Sequence, residues 1–169
     1  MALTKVQADG INLADTFAFS GTVSGTSVAG SAAFSARMTS SVWVAAASAS
    51  IIPFNNVSTG DSFDTDSCYN TSTYKFTAPA AGVYMFWYAI YTANSDADNS
   101  FSFLKNSSKV NMQSDSANIF SHHSNNTNDH IQNGTVILPL TSGDTIAPVM
   151  HLASDYFSGH SQWGGCRLA

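Results

Sequence analysis

"GVYMFWYAIYTA", residues 82–93, carries no charge and no turn residue after its glycine. Phe86, Trp87 and Tyr88 are consecutive within it. Successive side chains of a strand point to opposite faces. A strand here therefore sets Tyr84, Phe86 and Tyr88 on one side and Val83, Met85, Trp87 and Ala89 on the other. Neither side suits water. A buried aromatic removes about 150–250 Å² of surface, and a whole row left in solvent would make a large apolar patch. One row belongs inside the domain, and the other calls for a second chain. The expectation is an oligomer that associates through this sheet, with Tyr84, Phe86, Trp87 and Tyr88 as the contact residues.

The surrounding chain is of a different character. Only 10% of its 169 residues are charged, and its acids are all Asp, with no Glu. Ser, Thr, Asn and Gly are plentiful, and these compete with or loosen a helical backbone. Val, Thr and aromatics favour strands. The fold class read from this is all-β, a sandwich or jelly roll of short antiparallel strands. Expected strands are 33–37, 42–46, 50–54, 67–70, 73–77, 82–92, 100–105, 108–112, 132–140, 144–152 and 160–168, with turns at 79–82, 94–99 and 141–144. Apolar residues alternate around Leu138 and Leu140, as in a sheet with one wet face.

Residues 1–32 alternate short apolar pairs with Gly, Ser and Thr and supply no core of their own, so they read as an extended attachment segment. Residues 33–169 form the domain, a length sufficient to bury a real core. A net charge of −5 without a basic stripe argues against nucleic acid as a partner. No stretch approaches the roughly 18 apolar residues of a membrane span, and "MALTKVQADG" has no apolar core of a secretory signal. Cys68 and Cys166 are accordingly expected as reduced thiols.

From the same strand backwards, a spaced pattern appears: Tyr88, Phe86, Tyr84 and Gly82, then Phe76, Tyr69 and Asp64. This resembles the signature of the globular head of the first complement component's q subunit and its tumour-necrosis-factor relatives. The eighth signature position, a Phe in the family, is Ser58 here, with Phe54 and Phe63 nearby. "FSFLKNSSKV" (101–110), "NGTVILPLTSGDTIAPVM" (133–150) and "YFSGHSQWGGCRLA" (156–169) are similar to later segments of that family. The resemblance implies a ten-stranded jelly roll that forms a tight homotrimer. "KVQADGINLADTFAFSGTVSG" (5–25) looks like the start of small structural and tail-fibre proteins of marine bacteriophages.

Chemistry is sparse. His122, His123 and His130 fall in one polar run without the spacing of a metal-ligand set, and read as a solvated loop. Asp98 stands seven residues before Lys105, which by the resemblance makes it a candidate calcium ligand. Its expected companion acid is replaced by Asn106 and Ser107. No nucleophile elbow, His-Glu-x-x-His or phosphate loop is present, so no enzymatic activity is expected. The expected function is a virion structural protein: a trimeric knob on a tail fibre or spike, joined to other virion proteins through residues 1–32. Exposed loops such as 113–130 would meet a host surface glycan or protein. A capsid decoration protein and a secreted pattern-recognition lectin are the alternatives.

Overall fold

A computed structural model describes residues 32–39, 43–46, 50–92, 99–109, 121–123, 130–150 and 154–169. The attachment segment up to residue 31, Asp98 and most of the loop 113–130 lie outside these residues. The described chain contains strands and no helix. In order they are β1 (Ala33–Arg37), β2 (Trp43–Ala46), β3 (Phe63–Asp64), β4 (Tyr69–Asn70), β5 (Lys75–Thr77) and β6 (Gly82–Thr92). There follow β7 (Asn99–Lys105), β8 (Ser108–Lys109), β9 (Ser121–His123), β10 (His130–Leu140), β11 (Thr145–Met150) and β12 (Ser154–Arg167).

They form two antiparallel sheets, a jelly-roll sandwich. The first runs β10-β6-β12-β1-β3, with β2 on β12; the second runs β4-β5-β11-β7-β8, with β9 on β7. The opening stretch is β6, which lies between the two longest neighbours. β10 pairs with it along its whole length, from His130 opposite Thr92 to Leu140 opposite Gly82. β12 pairs with it from Gln162 opposite Ala89 to Arg167 opposite Tyr84, and again at Tyr156 and Phe157 beyond a bulge.

Alternation along β6 sends Tyr84, Phe86, Tyr88 and Ile90 inward, where all four are fully buried. Phe76 reaches across from the second sheet, its ring centroid 5.0 Å from Phe86 and 5.5 Å from Tyr84. Phe103 lies 5.0 Å from Tyr88. Trp163 of β12 is the other centre of the core, edge-on to Phe34 at 4.6 Å and to Tyr69 at 5.6 Å. The core is so crowded with rings that two glycines act as receptacles. A Cβ on Gly134 would stand 2.4 Å from the Tyr88 ring, and one on Gly165 would stand 2.4 Å from the Phe86 ring.

Several expected strands differ. The stretch 50–54 is irregular apart from a bridge between Ile51 and Val149, because Pro53 cannot donate to a ladder and Phe54 turns back to bond the Ile52 carbonyl. His122 and His123, expected in a loop, belong to β9 opposite Ser100 and Asn99, and His130 begins β10. A strand needs only backbone pairing, which polar residues supply as well as apolar ones. The closing strand begins at Ser154, earlier than expected, because its first residues pair with β2.

At one end of the second sheet two turns are tied together. Asn106 and Ser107 both have positive φ, which gives the two-residue turn between β7 and β8 the twist a hairpin needs. Gly143, at φ 89°, turns the chain between β10 and β11. Asp144 joins them. It accepts from Asn106 Nδ2 at 2.7 Å and from the Thr141 N–H at 2.9 Å, and pairs with Lys105 Nζ at 3.1 Å. Asn106, Thr141 and Lys105 together hold its carboxyl well below the usual carboxylate range. A carboxylate whose native pKa is depressed stabilises the fold above its unfolded pKa of about 3.9, and that contribution fades as pH falls. Asp144→Asn is therefore expected to lower the thermal midpoint at pH 7, with the gap to wild type narrowing steadily as pH falls below about 4 and still narrowing at pH 2. A gap that stays constant down to pH 2 would show that the charge of Asp144 plays no part.

Candidate assembly face

Directly opposed residues of an antiparallel pair share one face of the sheet, so the registers define the outer surface of the first sheet row by row. The central row is Thr135, Trp87, Gly164, Ser35 and Phe63, across β10, β6, β12, β1 and β3. On one side lie Ile137, Met85, Cys166 and Ala33, then Pro139 and Val83, with Leu168 bonded through its N–H to the Val83 carbonyl. On the other side lie Asn133, Ala89, Gln162 and Arg37, then Ile131 and Tyr91.

Among the described residues, the large apolar side chains exposed to solvent are Phe63, Val83, Ile131, Ile137 and Leu168. All five fall on this one face. Ile137 is 58% exposed and Ile131 54%, values that would be unremarkable for one residue. Five on a single sheet surface concentrate the exposed apolar residues there, and apolar exposure gathered on one face is a mark of interaction sites. Trp87 sits in the middle, half-buried because its indole lies against Gly164, where an added Cβ would meet the ring at 3.0 Å.

This geometry divides the residues expected at a subunit contact. Tyr84, Phe86 and Tyr88 are enclosed by the chain's own second sheet, so their rings have no surface left for a partner. The opposite row of the same strand, with Trp87 at its centre, is the one left open on the outer face. The signal was present in the alternation of β10: Ile131 and Ile137 are out of phase with Val136 and Leu140, so both of its faces carry apolar residues.

The remaining signature residues are structural. Gly82 leaves room for the Ala169 carbonyl, 2.3 Å from where a Cβ would stand. Asp64 is a clamp: its two oxygens accept the N–H groups of Cys68 and Tyr69, each at 3.0 Å. Tyr69 donates its hydroxyl to the Phe54 carbonyl at 2.6 Å and receives the Trp163 indole N–H at 3.4 Å. Phe54 is fully buried beside Trp163, whereas Ser58 is exposed in a turn and bonds to Asn56. Phe54 thus puts a ring into the core near the place where the signature departs from its expected Phe.

Both cysteines are free thiols. Burial, reinforced by the Asp64 carboxylate that its thiol donates to, pushes Cys68 well above the ordinary thiol range. Cys166 lies on the outer face. As for calcium, Asp98 is outside the described residues, and the Asn106 side chain is already committed to Asp144 and Thr145. No group of three or more His, Cys or Asp suited to a metal ion occurs among the described residues.

With these features in place, the similarities to known proteins fall into line. The C1q domain model matches residues 33–162. The chain belongs to the C1q domain family. No curated protein matches it. Among solved structures it is similar to the globular domain of zebrafish complement 1qA protein, at 16% identity and a TM-score of 0.54, covering 79% of this chain and 94% of that one. It is also similar to Eiger TNF from S. frugiperda, at 15% identity and a TM-score of 0.59, covering 83% and 94%. A third is murine APRIL, at 8% identity and a TM-score of 0.57, covering 81% and 98%. At such identities the likeness is one of fold, and it covers the sandwich assembled above.

The clamp in this C1q domain gives a direct test. Asp64→Asn keeps the shape but replaces one accepting oxygen with an NH2 group, which leaves one backbone N–H facing a donor. The expected loss is about 1–3 kcal/mol in urea unfolding. A change below about 0.5 kcal/mol, the range of ordinary surface substitutions, would mean that Asp64 clamps nothing of consequence.

Proposed function

We propose that this C1q domain is a non-enzymatic binding knob that works as a homotrimer, packed through the outer face of its first sheet. The observation that carries this is the concentration of every large exposed apolar side chain among the described residues on that face, around Trp87. The family resemblance supports three as the number of copies. Within that reading, the knob belongs to a phage particle: residues 1–32 attach it to other virion proteins, and its outer loops contact a molecule on the host surface. The likeness of residues 5–25 to the leaders of phage structural proteins supports this placement.

Sedimentation at micromolar concentration is expected to give three times the 17.9 kDa chain mass. Trp87→Asp and Ile137→Asp each bring a charge into a contact that would otherwise be dry, and both variants should shift the protein to monomer or aggregate. Their positions on the outer face leave the core rings untouched, so an isolated chain should keep its β-sheet circular dichroism. A wild-type protein that sediments as a folded monomer would overturn the trimer. Wild-type trimers that fail to bind host cells, with the chain missing from purified particles, would overturn the virion role alone.

A further inference from the structure

A recess of about 310 Å³ opens where β1 meets the loop before β3, lined by Arg37, Met38, Thr39, Asn56, Thr59 and Gly159. Its size is at the lower end for small-molecule sites, with room for one sugar-sized group rather than a chain. The walls are fixed by hydrogen bonds. Arg37 and Asn56 exchange backbone bonds in both directions at 3.0 Å. The Asn56 side chain accepts the Ser58 N–H at 2.9 Å and donates to Thr59 Oγ1. Opposite, Asn55 accepts the Thr39 N–H at 2.9 Å and donates to the Thr39 hydroxyl at 3.2 Å.

The Arg37 guanidinium lies over Gly60, in the left-handed region at φ +63°, where a Cβ would stand 2.6 Å from Nη2. It donates to Thr59 Oγ1 at 3.1 Å. That hydroxyl therefore accepts from both Arg37 and Asn56, and its own proton is left to donate elsewhere. A guanidinium has five N–H donors in a flat fork. Among the described residues the ion pair is Lys105 with Asp144, and Arg37 has no carboxylate against it. In a chain of net charge −5, a cation held at a polar recess with no acid partner among the described residues is set up to receive an anion from outside.

The geometry points to a subsite for the carboxylate of an acidic sugar. The flat fork of Arg37 matches a carboxylate through two parallel hydrogen bonds, and Thr39, Asn56 and Thr59 offer the hydroxyl and amide groups that suit ring hydroxyls. The recess is built within one chain, but Arg37 also stands at the polar end of the outer face of the first sheet, so this inference rests on that end staying open in the assembly.

Sodium glucuronate, glucose and sodium acetate, titrated separately into the full chain and followed by amide NMR, provide the test. Glucuronate should shift the signals of Arg37, Thr39, Asn56 and Thr59, with acetate and glucose each at least about 10-fold weaker. Arg37→Gln should weaken glucuronate by about 10-fold or more, and Arg37→Lys, which keeps the charge but not the fork, by less. Light scattering in parallel reads the number of subunits separately, so loss of binding and loss of assembly are distinguishable. Glucuronate binding no tighter than glucose or acetate, or unchanged in a folded Arg37→Gln or Arg37→Lys variant, would overturn the proposal.

Discussion

The rest of the molecule depends on the burial of one row of aromatic side chains along β6. Tyr84, Phe86 and Tyr88 each lose essentially all contact with water, and each ring is worth a few kcal/mol when fully buried. Rings of this size cannot be packed by small polar residues, so their demands propagate. They require Phe76 and Phe103 from the opposite sheet, which fixes how the sheets stack. They require glycine at positions 134 and 165, where any side chain would collide with them, which fixes the sequences of both neighbouring strands. They also require β6 to be central, because a strand buried so completely must have both backbone edges paired, and β10 and β12 supply that pairing.

How much of this could be read from the sequence depended on how strong each local pattern was. β1 and β6 stand at the bounds expected of them, since alternation is sustained and the flanking residues break it sharply. β3 and β9 are two and three residues long, too short for any period to show, and they exist only because longer strands lie beside them. Trp163 does not stand out as a core residue because Ser, Gln and Gly surround it in sequence, and no single-strand pattern reveals that Phe34, Tyr69 and Phe86 from three strands, and Phe54 from the irregular stretch between, converge on it. The Asp64 position followed from its spacing, but its work, gathering two backbone N–H groups at the start of β4, needed coordinates.

The outer face of the first sheet illustrates a more general difficulty. A period of two shows that both faces of β6 are apolar, yet it does not say which of them faces the domain. Hydrophobicity alone points to the row with more rings, Tyr84, Phe86 and Tyr88. That row went inward because large rings gain most from the densest packing, and the domain interior is available to every chain before it meets another. What remained outside was the mixed row of Val83, Met85, Trp87, Ala89 and Tyr91. The recess at Arg37 was invisible for a different reason: its lining comes from β1, the loop after it, the turn at 56–60 and the bulge of β12, which no motif links.

The composition of the outer face also bears on how a partner would hold it. Toward the Val83 end the rows are almost wholly apolar, with Ile137, Met85, Cys166, Ala33, Val83 and Leu168. Toward the Arg37 end, Asn133, Gln162 and Arg37 bring polar groups that would need partners if buried. Energy in such contacts concentrates on a few aromatic anchors ringed by residues that exclude water. Trp87 has that position, on the boundary between the two halves, and Gly164 allows its indole to lie against the sheet instead of standing away from it. A ring held in this way has lost much of its rotamer freedom before any partner arrives, so less entropy is forfeited on association. In the proposed contact, the small residue beside the tryptophan, and not the tryptophan alone, would make this surface ready to bind.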